Sequence, residues 1–181
     1  MRDLRAPRPV GDTFASTMVR SPTPAEFDLC ALQAAVDAGR RSRGLGWAAA
    51  AREIGVSVGT LRGLGTRRAV EGDGVLQILL WLGRSPESFV PGCERDDPSA
   101  PLHSPRAGVL RFDARALHTA LQERRTQYGM TWAQVAAAIG GMEAGALMRL
   151  RGGGRVSFPQ VMRVCAWLGQ PAARFVHVAP R

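Results

Sequence analysis

Residues 132–150 read WAQVAAAIGGMEAGALMRL, and residues 47–64 read WAAAAREIGVSVGTLRGL. Both open on an Ala-rich run, a composition of high helix propensity that also lets neighbours pack close. Gly55 in the earlier stretch and Gly140-Gly141 in the later one interrupt the run and supply a sharp turn. Beyond the turn, Leu61 with Leu64 and Leu147 with Leu150 recur at i,i+3, so each pair points inward from one helical face. A short helix, a glycine turn and a further helix make a helix-turn-helix arrangement, and the chain contains it twice.

The duplication extends outward from these stretches. Phe27-Asp28 matches Phe112-Asp113, Leu32 matches Leu117, Gly44 matches Gly129, and Ile54-Gly55 matches Ile139-Gly140. After one extra residue in the second copy, Leu61 matches Leu147 and Val70 matches Val156. Trp81-Leu82-Gly83 then matches Trp167-Leu168-Gly169, and Phe89-Val90 matches Phe175-Val176. Order and register hold across units of roughly 65 residues, too long for solenoid repeats and right for a small domain. Residues 91–111 hold Pro91, Pro98, Pro101 and Pro105 beside the acidic Glu94, Asp96 and Asp97. Such proline density resists both helix and central strand and predicts a semi-extended linker. Residues 1–25, with four further prolines, read as a disordered arm.

Each copy, 26–90 and 112–178, reads as five short helices. Asp28 and Asp113 are placed to cap the first by accepting backbone N–H bonds. Leu32 with Val36, and Leu117 with Leu121, share one face of it. The fourth helix carries Val75, Leu79 and Leu82 in one copy and Val161, Cys165 and Leu168 in the other. Ser157 and Gln160 form an S-x-x-Q capping box at its start in the second copy. A short fifth helix follows Gly83 or Gly169, with Pro86 and Pro171 suited to its first turn and Phe89 and Phe175 closing the core. The predicted fold is all-α: two tandem five-helix helix-turn-helix domains joined by a Pro-rich linker.

Charge points to a class of partner. All 24 basic residues are Arg, against 15 acidic residues, for a net +9. Arg carries a planar fork of donors that suits phosphates and guanine edges, and excess basic charge favours polyanions. Residues 27–90 hold eight Arg against six acidic residues, and residues 112–176 hold eight against three, a net of +2 and +5. The second copy is therefore expected to supply the main electrostatic grip.

Other classes find little support. Cys30, Cys93 and Cys165 are far apart, with no CxxC or Cys/His cluster, so neither a disulfide framework nor a zinc site is expected. The longest apolar run, Val75 to Leu82, is broken by Gln77 and too short for a bilayer, and the N-terminus lacks a signal-peptide core. The expectation is a cytoplasmic protein with no membrane partner. His103, His118 and His177 are scattered, and neither a nucleophile elbow nor H-E-x-x-H occurs. Asp96 and Asp97 fall in the linker, where no burial would tune a pKa. No catalytic residue, metal or cofactor is expected, and the chain does not read as an enzyme.

Trp132-Ala133-Gln134-Val135-Ala136, then Ile139-Gly140, Leu147-Met148-Arg149-Leu150 and Val161 to Leu168-Gly169, resembles the lambda-repressor-like, XRE-type helix-turn-helix family. Trp47 to Leu64 and Val75 to Gly83 repeat the pattern, so the resemblance covers roughly 130 residues. It implies a five-helix domain that binds duplex DNA, usually as a transcriptional repressor or regulator, with the third helix in the major groove. It also implies a bacterial or phage-encoded, nucleoid-associated protein. Trp47 and Trp132 stand where the family usually has a phosphate-holding Gln.

The candidate DNA-binding residues follow from this placement. On the third helices they are Thr60 and Arg62 in the first copy, and Gly145, Met148 and Arg149 in the second. Either Arg can donate two hydrogen bonds to a guanine, reach a phosphate, or remain a solvated surface side chain. Thr66, Arg67 and Arg68, and Arg151 and Arg155 around a glycine triplet, form basic turns in which backbone N–H groups can approach phosphates. Trp47 and Trp132, with Gln134, either face the DNA backbone or cover the first helix. Arg40, Arg41, Arg43, Arg124 and Arg125 read as solvated helix ends, favoured there by the helix dipole.

The expected function is sequence-specific binding of double-stranded DNA, with the two domains acting as a covalent pseudo-dimer on an asymmetric site. A further homodimer or protein partner is compatible with the sequence. The alternative is a degenerate protein-interaction module, antitoxin-like or a phage-associated adaptor, because the third helices are rich in Gly and Ala.

Overall fold

The computed structural model describes residues 26–66, 70–92, 108–153 and 156–180. The arm 1–25 and residues 93–107 of the expected linker, including Cys93 and His103, lie outside them. Asp28 and Asp113 accept the N–H groups of Ala31 and Ala116 at 2.8 and 2.9 Å. They thereby start α1 (Leu29–Ser42) and α5 (Ala114–Gln127). α2 (Trp47–Ile54) ends at Gly55, whose φ of +83° and N–H bond to the Ala51 carbonyl turn the chain sharply. A side chain would be strained in that left-handed conformation. α3 (Val58–Arg62) runs on to a 3₁₀ turn at Leu64–Thr66. α4 (Gly72–Leu82) leads to another at Pro86–Phe89.

The second copy follows the same order. α6 (Trp132–Ile139) and α7 (Ala144–Arg149) are followed by a 3₁₀ turn, Leu150–Gly152. α8 (Phe158–Leu168) leads to a last turn, Ala172–Phe175. Gln160 accepts the Ser157 N–H at 3.3 Å, as the S-x-x-Q spacing predicts.

The fold is not all-α, nor is it two discrete five-helix domains. Val109–Phe112 (β1) and Val176–Ala179 (β2) pair antiparallel, with Val109 opposite Ala179 and Phe112 opposite Val176. Leu110 is buried beneath this ribbon, and its carbonyl accepts from Gln77 of α4 at 3.1 Å. Where a fifth helix was expected, each copy has a single 3₁₀ turn. Eight α-helices and a two-stranded sheet therefore make up the described residues.

The two copies share one continuous core. Glu71 and Ser157, equivalent positions of the repeat, bridge to each other antiparallel, and the Phe158 N–H donates to the Val70 carbonyl at 2.9 Å. Pairing between equivalent positions places a local two-fold axis between them. The buried Phe158 ring lies 4.6 Å from Phe27 and 5.5 Å from Phe112. Reciprocally, Phe112 (the counterpart of Phe27) closes on Gly72 (the counterpart of Phe158). A Cβ at Gly72 would sit 2.7 Å from the Phe112 Cδ2. Such exchange of the same contacts defines an isologous interface.

Polar bonds cross it too. Asp73 accepts from the Phe112 N–H and the Arg111 guanidinium, each at 3.2 Å. Glu87 accepts the Ala172 N–H at 2.9 Å. The physical reason for fusion is size: a unit of roughly 65 residues buries a smaller fraction of its surface alone than a domain of twice the length, and packing the copies together removes these phenylalanines from water.

Candidate nucleic-acid interface

Each helix-turn-helix begins at the amino end of its second helix. In the second copy, Thr131 and Gln134 form a capping box, with the Gln134 Oε1 accepting the Thr131 N–H at 2.7 Å. Gln134 was a candidate DNA contact; its carbonyl oxygen is occupied by this cap, so only its amide NH2 remains to donate outward. In the first copy the N-cap is Gly46, with no side-chain cap, and Ser57 caps α3 instead. Thr60 is drawn into that cap, its hydroxyl 2.8 Å from the Ser57 Oγ.

Arg62 and Arg149 stand on the exposed sides of α3 and α7, while Leu61 and Leu147 are buried. The Arg62 guanidinium lies 6.0 Å from the Trp47 ring centre, so these two candidates come together. Arg149 folds back along α7, and a Cβ on the exposed Gly145 would be 3.5 Å from its Nη1. Met148, 53% exposed, stands beside Arg149. Among the described residues the Arg149 and Arg151 side chains have no hydrogen bond or ion pair. Thr66 is exposed and donates to the Gly63 carbonyl at 3.1 Å. Arg67, Arg68 and Arg155 lie outside the described residues.

Trp47 and Trp132 are half-buried and are covered from the first helix of each copy. Arg40 lies 4.4 Å above Trp47, and Arg125 lies 5.3 Å from Trp132. Both arginines make one further bond in common, from Nη1 to the carbonyl of Leu45 and of Met130. Arg43 and Arg124 repeat the pattern on Trp81 and Trp167, at 3.9 and 5.7 Å, and donate to the Trp81 and Leu168 carbonyls. Arg40, Arg124 and Arg125 are half-buried rather than the solvated helix ends the sequence suggested, while Arg43 remains exposed. They fasten helix ends to loop carbonyls and stack on indoles, a geometry that Arg supplies and Lys does not. The repeat carried a signal for one pair, since Arg40–Trp47 recurs as Arg125–Trp132; Arg43 and Arg124 are not equivalent, their counterparts being Tyr128 and Gly39.

Two equivalent positions set the copies apart electrostatically. Asp37 of α1 forms ion pairs with both Arg40 and Arg41. In the second copy Gln122 occupies that place and accepts from the Arg125 Nε at 3.2 Å, without charge. Gln33 of α1 clamps the end of α3, donating to the Arg62 carbonyl at 2.8 Å and accepting the Gly65 N–H at 2.9 Å. Its counterpart is His118, which stacks on Trp132 at 5.3 Å. Burial, and then the nearby Arg151 charge, hold the His118 pKa below its ordinary value. His118 and Arg151 thus draw Trp132 and the turn after α7 into one cluster. The sequence reading assigned no role to Gln33, Asp37 or His118.

Among the described residues no group of three or more His, Cys, Asp or Glu side chains could hold a metal ion. No helix among them is long and apolar enough to cross a membrane. Comparison of the chain with protein-family models, with curated proteins and with solved structures finds no match.

Proposed function

We propose that this protein binds double-stranded DNA through the exposed sides of α3 and α7 and acts as a transcriptional regulator, most simply a repressor. The observation that carries the reading is the paired placement of Arg62 and Arg149. Each stands on the solvent side of the second member of a helix-turn-helix, where such a helix enters the major groove. The resemblance of these segments to XRE-type helices supports the same reading. A DNA partner would place the protein with the nucleoid of a bacterial or phage-infected cytoplasm.

Because the copies are joined by an isologous interface, the chain would present its two reading helices in inverted orientation, as a dimer does. Unequal helices, Val58–Arg62 against Ala144–Arg149, make the two half-sites unequal. The second copy would grip harder, since its arginines are less neutralised than those beside Asp37. Contacts to about six phosphates would lower affinity by about three orders of magnitude between roughly 50 and 200 mM salt.

The test is retention of sheared genomic DNA at near-physiological salt, followed by sequencing. A shared motif of two unlike, inverted halves is the expected outcome. Retention without a motif points to an architectural binder. No retention even at low salt removes the DNA reading. It would favour a protein-interaction module docking on α7, where Met148 is exposed next to Gly145 and the small Ala146.

A further inference from the structure

A cleft of about 600 Å³ lies at the junction of the two copies, between the start of α5 and the start of α4. A second cleft of about 580 Å³ lies at the equivalent place on the other side of the local two-fold axis. Seven of the eight residues lining the second cleft have their repeat counterpart lining the first, and this gives an internal control. Where the second cleft has Glu26, Cys30 and Pro91, the first has Arg111, Arg115 and His177. Phe27-Asp28 and Phe112-Asp113 are the same in both, because they serve the shared core and the helix caps. The core and cap residues are thus common to both clefts, while the first carries two arginines, a histidine and an aspartate where the second has an acid, a thiol and two prolines.

Of the three basic side chains, Arg111 is held by the cleft's own Asp73, which leaves Arg115 and His177. Asp73 is engaged by Arg111 and the Phe112 N–H, Asp113 by the Ala116 N–H, and Glu71 is engaged as well. Among the described residues the Arg115 and His177 side chains have no hydrogen bond or ion pair. The volume falls within the roughly 300–1,000 Å³ of ordinary small-molecule sites.

We propose that this cleft binds a small organic anion, phosphate- or carboxylate-bearing, held by Arg115 and His177. A guanidinium takes two anion oxygens in a bidentate grip, and an imidazole N–H can take a third. The ligand would touch both copies at once. It would also lie against Gly152 and Gly153, in the turn that follows α7 and carries Arg151. Occupancy would therefore bear on the candidate nucleic-acid face without overlapping α7. The site stands on its own residues and holds whether or not the chain binds DNA.

Inorganic phosphate is the probe. Thermal unfolding of the full chain is followed while phosphate is titrated against chloride at matched ionic strength. Phosphate should raise the Tm saturably, and chloride should not. Arg115→Gln should weaken half-saturation by about tenfold or more, the worth of one charge-assisted hydrogen bond pair. His177→Gln should weaken it less, and Cys30→Ser in the equivalent cleft should leave it unchanged. Arg115 and His177 are exposed, and circular dichroism confirms that each variant folds before it is titrated. Equal responses to phosphate and chloride, or an Arg115→Gln variant that titrates like the parent, overturn the proposal. So does an Arg115→Gln variant that loses duplex binding while phosphate has no saturable effect. That outcome would assign Arg115 to a nucleic-acid backbone.

Discussion

At the scale of single residues, the two copies differ most where they share the same template. Among the described residues the Arg149 side chain has no hydrogen bond or ion pair and Arg62 leans toward Trp47, while Asp37 neutralises the arginines near Trp47. Arg149→Ala should weaken duplex binding by about 1–3 kcal/mol, and Arg62→Ala by less. Fluorescence anisotropy on the selected duplex reads both, and equal losses would remove the dominance of the second copy. His118 makes a pH prediction. Its pKa is lowered in the folded protein, by burial first and by Arg151 second. The neutral ring is thus favoured by folding, and its contribution is fully present above the ordinary imidazole pKa of 6.5. It is lost as pH falls below that value, so thermal stability should decline between about pH 7 and 5. His118→Gln should flatten that decline.

At the scale of elements, the sequence was most legible where a bond spans three or four residues. Asp28, Asp113 and the Ser157/Gln160 pair begin helices as their spacing foretells, and Gly55, Gly83 and Gly169 end them in left-handed geometry. The placement of α2, α3, α6 and α7 was equally readable, because the Ala runs and glycine turns are local signals. The sheet was not. Val109–Phe112 and Val176–Ala179 are four residues each and lie 67 positions apart, and so short a strand exists only through its partner and α4 beneath it. Arg43 and Arg124 were hidden for the same reason, since the carbonyls that hold them lie 38 and 44 residues away, whereas Arg40 and Arg125 bond carbonyls only five residues on. The Thr131 cap gives an element-scale test. Thr131→Ala should cost about 0.5–2 kcal/mol, seen as a lower denaturation midpoint with an unchanged slope.

At the scale of the whole molecule, the repeat was visible from end to end while the way its copies meet was not. Sequence identity between copies shows that each resembles the other; it does not show that Phe27 of one closes on Phe158 of the other. A continuous core predicts one cooperative unfolding transition by calorimetry, where two discrete domains would give two. Phe158→Ala removes the ring between Phe27 and Phe112 and should cost about 3–5 kcal/mol. The whole transition should move down together. A variant in which only residues 112–180 unfolded earlier would contradict the shared core.

Gly72 and Phe158 occupy equivalent places yet could not be exchanged for two residues of one kind. Two glycines would leave Phe27 facing a void, and a phenylalanine at 72 would collide with Phe112. Each half therefore recognises the other half and disfavours its own duplicate. When many nascent chains are crowded together, the first half of one molecule gains nothing by docking onto the first half of its neighbour. The mismatch that breaks the symmetry thus confines pairing to unlike halves and closes off docking between like halves of neighbouring molecules.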